Sequence, residues 1–118
     1  MAVNKETKYG GIAITNEVIA EVAGEAVSEC YGVVGLASRN SIVENVYELL
    51  RKEEYTKGVR CTSSKKGYEV DIYVIVAYGV KITEVASEIQ KRVKYVLEKT
   101  FSLPFTAVNV YVQDIKEV

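Results

Sequence analysis

Residues 68–115 read YEVDIYVIVAYGVKITEVASEIQKRVKYVLEKTFSLPFTAVNVYVQDI, and the spacing of their apolar side chains changes twice. Between residues 70 and 77, valine and isoleucine occupy alternate positions, which is the period of a β-strand. Between residues 82 and 97, apolar side chains recur at every third or fourth position, which predicts an amphipathic helix. Alternation returns between residues 108 and 113. The stretch therefore predicts a strand, a helix and a second strand, in that order.

The beginning of the chain predicts a tail, a short strand and a helix. Residues 1–10 are mostly polar and predict a flexible N-terminal tail, and residues 12–14 predict a short strand. Thr15 or Asn16 can cap a helix whose apolar side chains share one face as far as Cys30. Gly24 lies inside this helix, where we expect it to permit close packing.

The middle of the chain predicts an extra helical segment and a hairpin. Ser41 and Glu44 have the spacing of a capping box, in which the serine caps the helix start and the glutamate reaches back to it. They place an extra helix within residues 38–56. The polar turn at residues 65–67 then predicts that the strand beginning at Val59 continues into an antiparallel partner.

These elements predict an α+β fold with the order strand, helix, extra helix, strand, strand, helix, strand. The apolar helix faces need the valine-rich strand faces, so we expect a two-layer sandwich with helices on one face of a three- or four-stranded sheet. A chain of 118 residues has the size of one ordinary domain, so residues 1–118 are expected to form a single domain.

Composition limits the class of function. A net charge of -1 at pH 7 argues against binding nucleic acid through bulk electrostatics, because domains that do so are usually strongly basic. The first residues lack the apolar segment of a signal peptide, and no apolar run is long enough to span a membrane. We therefore expect a cytoplasmic protein without direct membrane insertion.

Candidate catalytic and metal-binding groups are scarce. The chain has no histidine, and its two cysteines, Cys30 and Cys61, are far apart in sequence. Asp71 and Asp114 are isolated carboxylates at strand positions, and neither a phosphate-binding loop nor a nucleophile elbow is present. We therefore predict no catalytic residues, no metal and no cofactor, and a protein that is not an enzyme.

One group of side chains is left over when the core is assigned. If helices cover only one sheet face, the opposite face presents Tyr73, Ile75, Asn109, Tyr111 and Gln113. Exposed aromatic and apolar patches mark partner surfaces, so we predict a protein-interaction site here. The alternative is that the tail or the extra helix folds over this face.

The order of strands and helices also resembles that of RNA-recognition modules, whose sheet aromatics stack on bases. Their K/R-G-F/Y-G/A-F-V-x-F/Y signature is missing from this sequence, and the net charge is negative. Nucleic acid is therefore not expected as a partner.

Three segments carry a resemblance to a known family. They read GGIAITNEVIAEVAGEAVSECYGVVGL at 10–36, GYEVDIYVIVAYGVKITEVASEIQKRVKYVLEKTF at 67–101 and VNVYVQDI at 108–115, and they keep the patterns YG-x-x-I-x-E-V-A and V-N-V-Y-V. In this order they resemble the alkaline shock protein family, the envelope stress response and general stress proteins of Gram-positive bacteria, over nearly the full length. The segment 38–56 departs from the family by being longer and more helical.

The resemblance implies a non-enzymatic cytoplasmic protein that associates with itself and is recruited to the membrane through a membrane-anchored protein partner. It supplies no catalytic residue for this chain. Some members are linked to the control of fatty-acid synthesis, which leaves a second interpretation open: a regulatory module that binds a lipid-related ligand or a lipid-synthesis enzyme. The second interpretation needs an enclosed apolar pocket beneath the extra helix, whereas assembly needs an exposed sheet face.

Overall fold

The computed structural model of the chain describes residues 2–38, 50 and 52–117. The described elements, in chain order, are β1 (Ala2–Thr7), β2 (Gly10–Thr15), α1 (Asn16–Ser28), β3 (Val33–Leu36), a 3₁₀ helix (Lys52–Lys57), β4 (Val59–Ser64), β5 (Gly67–Ala77), α2 (Ile82–Phe101) and β6 (Phe105–Lys116).

The central element of the fold is β5, which is the middle strand of a four-stranded sheet, the main sheet. Along one side of β5, first β4 and then β3 pair with it in antiparallel orientation, and β6 pairs in parallel along the other side. A parallel neighbour requires a crossover connection, and α2 supplies it between β5 and β6. The predicted α+β class is confirmed, and of the three or four strands expected the main sheet has four.

The described helices α1 and α2 pack on the same face of the main sheet, as the sequence predicts. They bury one apolar stripe each against the valine-rich sheet face because that is the apolar surface available to them. The buried cluster takes Ile19, Ala23 and Val27 from α1, Val85, Ile89, Val93 and Leu97 from α2, and Val59, Val70, Ile72, Val74, Val76 and Val108 from the sheet.

The start of α1 and its internal glycine also follow the sequence. The Thr15 hydroxyl accepts a hydrogen bond from the Val18 N–H at 3.4 Å, which satisfies one backbone donor of the first turn. A Cβ atom on Gly24 would lie 2.2 Å from a ring carbon of Tyr55, in the 3₁₀ helix. Gly24 therefore permits the close approach of Tyr55 to α1, as expected.

The N-terminal part differs from the prediction. Residues assigned to a flexible tail form β1, which pairs with β2 from Ala2 opposite Thr15 to Thr7 opposite Gly10. This hairpin is a sheet of its own, and the strand predicted at residues 12–14 belongs to it rather than to the main sheet. Its place is taken by β3, whose residues the sequence suggests only as a short apolar passage.

The predicted extra helical segment falls largely on residues 39–49 and 51, which lie outside the described residues. Ser41 and Glu44, the predicted capping box, are among them. The described part of residues 38–56 includes the first turns of the 3₁₀ helix Lys52–Lys57.

Candidate protein-interaction surface

The candidate surface is the face of the main sheet opposite α1 and α2, here called the outer face. Its side chains include those of Arg60, Asp71, Tyr73, Ile75, Asn109 and Tyr111, with Gln113 at one end. Side chains alternate between the two faces of a strand, so the same valine pattern that builds the core turns these residues outward. Within the described residues, both helices pack on the other face.

Strand register brings the predicted residues of β5 and β6 together. Asp71 lies opposite Asn109, and Tyr73 lies opposite Tyr111, in the parallel β5–β6 pairing. The rings of Tyr73 and Tyr111 stack, with centroids 4.8 Å apart and planes 16° apart. Tyr73 is half-buried, and Tyr111 is 44% exposed. The two tyrosines therefore form an ordered aromatic surface that is open to a partner.

A carboxylate organises the polar side of this surface. Asn109 Nδ2 donates to Asp71 Oδ1 at 2.9 Å. The negative charge of Asp71, then partial burial and then Tyr73, raise the pKa of Tyr111 above its ordinary value, because all three disfavour the phenolate. Tyr111 therefore keeps its hydroxyl proton at neutral pH and can act as a hydrogen-bond donor.

Sequence reasoning missed the role of Asp71, which it treated as an isolated strand carboxylate. The missing information was the parallel register, since only that register places Asp71 opposite Asn109. In the same row Arg60 of β4 lies opposite Asp71, so a cation, an anion and an amide follow one another across the outer face.

The prediction for Ile75 is wrong in one respect, because its side chain is fully buried. Ile75 lies on the central strand between Gly35 of β3 and Asp114 of β6, and it is not part of the cluster beneath the helices. Its side chain is therefore not available to a partner. The exposed apolar character of the outer face comes from the two tyrosines.

Gln113 occupies an irregular position that the sequence does not reveal. The pairing passes from Val74 opposite Val112 to Ile75 opposite Asp114, so Gln113 is the extra residue of a β-bulge. Its Nε2 atom is buried and has no hydrogen-bond partner in the described part of the chain. A buried amide donor without an acceptor lowers the stability of the folded chain.

A cavity of about 330 Å³ lies away from the outer face, where the turn after β5 meets the start of α2. Lys81, Glu84 and Glu88 contribute charged groups to its wall, and the Lys81 Nζ to Glu84 Oε1 distance is 3.6 Å. The remaining lining residues are Tyr31, Gly79, Val80 and Val85. The cavity is therefore a partly charged cleft.

The cysteines and carboxylates do not form a metal site among the residues that the structure describes. Burial is the main cause that raises the pKa of both Cys30 and Cys61 above the ordinary thiol value, so both thiols are protonated at neutral pH. None of the helices described in the structure is long and apolar enough to cross a membrane.

A family profile described as having a cell envelope-related function matches residues 4–117 of the chain. The chain belongs to the alkaline shock protein 23 family. The match covers both helices and the whole main sheet, and it confirms the resemblance seen in the three sequence segments.

Two bacterial relatives are similar to this chain along almost their whole length. The uncharacterized protein YloU of Bacillus subtilis (strain 168) is 47% identical over 116 residues, covering 98% of this chain and 97% of the relative. The uncharacterized protein Spy1614 of Streptococcus pyogenes serotype M6 is 49% identical over 118 residues, covering 100% and 98%.

Among solved structures, a variant of MamM CTD superposes with a TM-score of 0.48 and 14% sequence identity, covering 83% of this chain and 93% of that one.

Proposed function

We propose that the protein is a non-enzymatic assembly protein of the bacterial cell-envelope stress response. It works in the cytoplasm, binds copies of itself and binds a membrane-anchored protein partner through the outer face. The observation that carries the proposal is the stacked, accessible pair Tyr73 and Tyr111 on a sheet face without a helix in the described structure. Membership of a family with a cell envelope-related function supports the cellular context.

The chemistry of the outer face suits a protein partner. Tyrosine provides a large apolar contact with a polar tip and is enriched at protein interfaces. The neighbouring row of Arg60, Asp71 and Asn109 offers donors and acceptors of both signs. Asp71, set beside the aromatic pair, disfavours the phosphate backbone of RNA at the place where bases would stack.

Self-association is tested by light scattering on protein separated by size, over a wide range of concentration. We expect a monomer at low concentration and a dimer or larger assembly at high concentration. A strict monomer throughout would overturn the self-association.

The membrane-anchored partner is tested by flotation with membrane vesicles from Bacillus subtilis, the source of a relative that is 47% identical. We expect the protein to float with native vesicles, and not with protein-free liposomes of the same lipids or with protease-treated vesicles. Tyr73→Ser should reduce flotation at least tenfold. Tyr95→Ser is the matched control because Tyr95 is an exposed tyrosine on α2, away from the sheet. Equal flotation with protein-free liposomes would contradict the proposal.

The alternative function, a regulatory module for a lipid-related ligand or a lipid-synthesis enzyme, gains no support from the described cavity. An acyl chain needs an apolar enclosure, whereas this cleft exposes Lys81, Glu84 and Glu88, whose charges are costly to bury against a hydrocarbon. The pocket expected beneath the extra helix involves residues outside the described ones.

A further inference from the structure

The long strand β6 is an edge of the main sheet. Its only strand neighbour in the described structure is β5, although β6 runs for 12 residues from Phe105 to Lys116. An edge of this kind presents backbone N–H and C=O groups to which another strand can add. The side of β6 that faces away from β5 is therefore a potential pairing site.

Hydrogen bonds fix which residues point their backbone toward this edge. On β5, Tyr73 donates its N–H to Gly58 and accepts from Ala37, so its backbone points toward β4 and β3. Tyr68 donates its N–H to Pro104, on the β6 side. The backbone N–H and C=O groups of successive residues point to alternate sides of a strand. Those of Val70, Ile72 and Val74 therefore also point toward β6.

In a parallel pair, a residue whose N–H and C=O bond to the neighbouring strand lies opposite a residue whose own N–H and C=O groups point away from it. Val108, Val110 and Val112 are opposite Val70, Ile72 and Val74, and their backbone groups therefore face the free edge. The side-chain hydrogen bond that reaches Val108 agrees with this orientation, because it comes from Gln90 on α2 and not from β5.

Side chains form hydrogen bonds with backbone groups at both ends of the edge but not in its middle. Gln90 Nε2 donates to the Val108 carbonyl at 3.0 Å, and Asp114 Oδ1 accepts from the Ile115 N–H at 2.8 Å. For Val110 and Val112 the described residues show no such partner on the edge side. The backbone groups without such a hydrogen bond are thus confined to a short segment centred on Tyr111.

The sequence of the edge lacks two of the usual features that prevent strand addition, charged side chains and proline. Residues 105–113 include no charged side chain and no proline, whereas protected edges commonly carry lysine or proline. A strand without charge meets no like-charge repulsion when it pairs with a second copy of itself. The bulge at Gln113 limits the open segment and so limits the possible registers.

We propose that β6 of two copies pair in antiparallel orientation about a two-fold axis at Tyr111. In this register Val110 of one copy lies opposite Val112 of the second copy, and each pair exchanges its free N–H and C=O groups. The Val108 carbonyl and the Ile115 N–H keep their hydrogen bonds to Gln90 and Asp114. The inference rests on the proposed self-association and specifies the surface that carries it.

The same register extends the aromatic pair of the outer face. Tyr111 of each copy meets Tyr111 of the other as a non-hydrogen-bonded pair, in which side chains are close. The Tyr73–Tyr111 stacks of both copies then join into one aromatic row.

Cysteine cross-linking tests the register in the full chain. In a Cys30→Ser, Cys61→Ala background, Tyr111→Cys places two thiols across the axis, with Cα atoms about 4.5 Å apart, which is within disulfide range. Asn109→Cys is the matched control, because its copies are offset by four residues, about 13 Å. Mild oxidation should link Tyr111→Cys into dimers at least tenfold faster than Asn109→Cys. Equal rates, or no link at concentrations where light scattering shows a dimer, would overturn the register.

Proline at the edge tests the pairing itself. The Val110 N–H points away from β5, so Val110→Pro leaves the β5–β6 hydrogen bonds intact while it removes a donor at the edge. We expect the dissociation constant of the dimer to rise at least tenfold, and Val110→Thr, which keeps the N–H, to stay within about twofold. Circular dichroism and urea unfolding check that both variants fold. An unchanged dimer in Val110→Pro contradicts edge pairing.

The two proposals fail in distinguishable ways. If the cross-link forms but Tyr73→Ser still floats with native vesicles, edge pairing stands and the outer-face partner site is wrong. If flotation depends on Tyr73 while Val110→Pro leaves the dimer intact, the partner site stands and edge pairing is wrong.

Discussion

Tyr73 and Tyr111 stack with their ring centroids 4.8 Å apart, although 38 positions and a complete helix separate them in the chain. The contact exists because β5 and β6 are parallel neighbours in a register that sets the two residues side by side. It orders an aromatic pair on a sheet face that no described helix covers, and this is the feature on which the proposed function depends.

The stack should contribute a measurable coupling energy. In a double-mutant cycle with Tyr73→Ala and Tyr111→Ala, we expect a coupling of about 0.5–1.5 kcal/mol in the free energy of unfolding, the usual range for aromatic pairs. Urea unfolding of the four proteins measures it. Additive effects of the two substitutions would show that the rings do not stabilise one another.

Ile75 should behave as a core residue despite its outward position on the strand. Its side chain is fully buried, so Ile75→Ala is expected to lower the free energy of unfolding by about 2–5 kcal/mol. Tyr111→Ser, at a side chain that is 44% exposed, should cost considerably less. Urea unfolding compares the two, and a cost for Ile75→Ala below that of Tyr111→Ser would contradict the assignment.

Asp71 should control the ionisation of Tyr111. Asp71→Asn keeps an acceptor for Asn109 but removes the charge, and the pKa of Tyr111 is therefore expected to fall toward its ordinary value of 10.0. The difference in phenolate absorbance between each protein and its Tyr111→Phe variant isolates this residue from the other tyrosines. An unchanged pKa would show that Asp71 is not the main cause.

The same shift predicts how stability depends on pH. The pKa of Tyr111 is raised in the folded protein, so its contribution to stability is fully present below the unfolded value of 10.0 and is lost as the pH rises through the folded-state pKa. Urea unfolding at a series of alkaline pH values should show a smaller loss for Asp71→Asn than for the unmodified protein.

Gly24→Ala should destabilise the protein even though alanine favours helices. The added Cβ would lie 2.2 Å from the Tyr55 ring, so the ring or the 3₁₀ helix that carries it must move, at a cost of about 1–3 kcal/mol. In a Tyr55→Ala background the clash is absent, and Gly24→Ala should then be neutral or stabilising by up to about 1 kcal/mol. Thermal or urea unfolding of both pairs tests this reversal of sign.

Local signals in the sequence predicted much of the fold. The cap at Thr15 and the apolar stripes of α1 and α2 depend on residues a few positions apart, so their patterns are visible in the chain itself. The turn before Gly67 is equally local, and the antiparallel pairing of β4 and β5 follows from it. The resemblance to the family rested on the same segments and is confirmed over residues 4–117.

Other features depend on residues that are distant in sequence. The strand predicted at residues 12–14 is β2, which lies in a separate hairpin with β1 and not in the main sheet. Alternation of apolar residues indicates a strand but does not determine which strand it pairs with. The parallel register of β5 and β6, and the bulge at Gln113, decide which outer-face residues meet. Ile75 shows the limit most clearly, since its position on the strand predicted exposure and the fold buries it.

The sequence by itself determined which side chains build the core and which side chains lie on the opposite face of the strands. A period of two residues in a strand, or of three to four in a helix, decides which side chains of that element share a face. Only the tertiary structure decided that Tyr73 stacks on Tyr111, that Asp71 accepts a hydrogen bond from Asn109 and that β5 is the one strand neighbour of β6 among the described residues. These are pairings between distant strands, and their register is set by the packing of the whole sheet against α1 and α2, to which no short stretch of sequence has access.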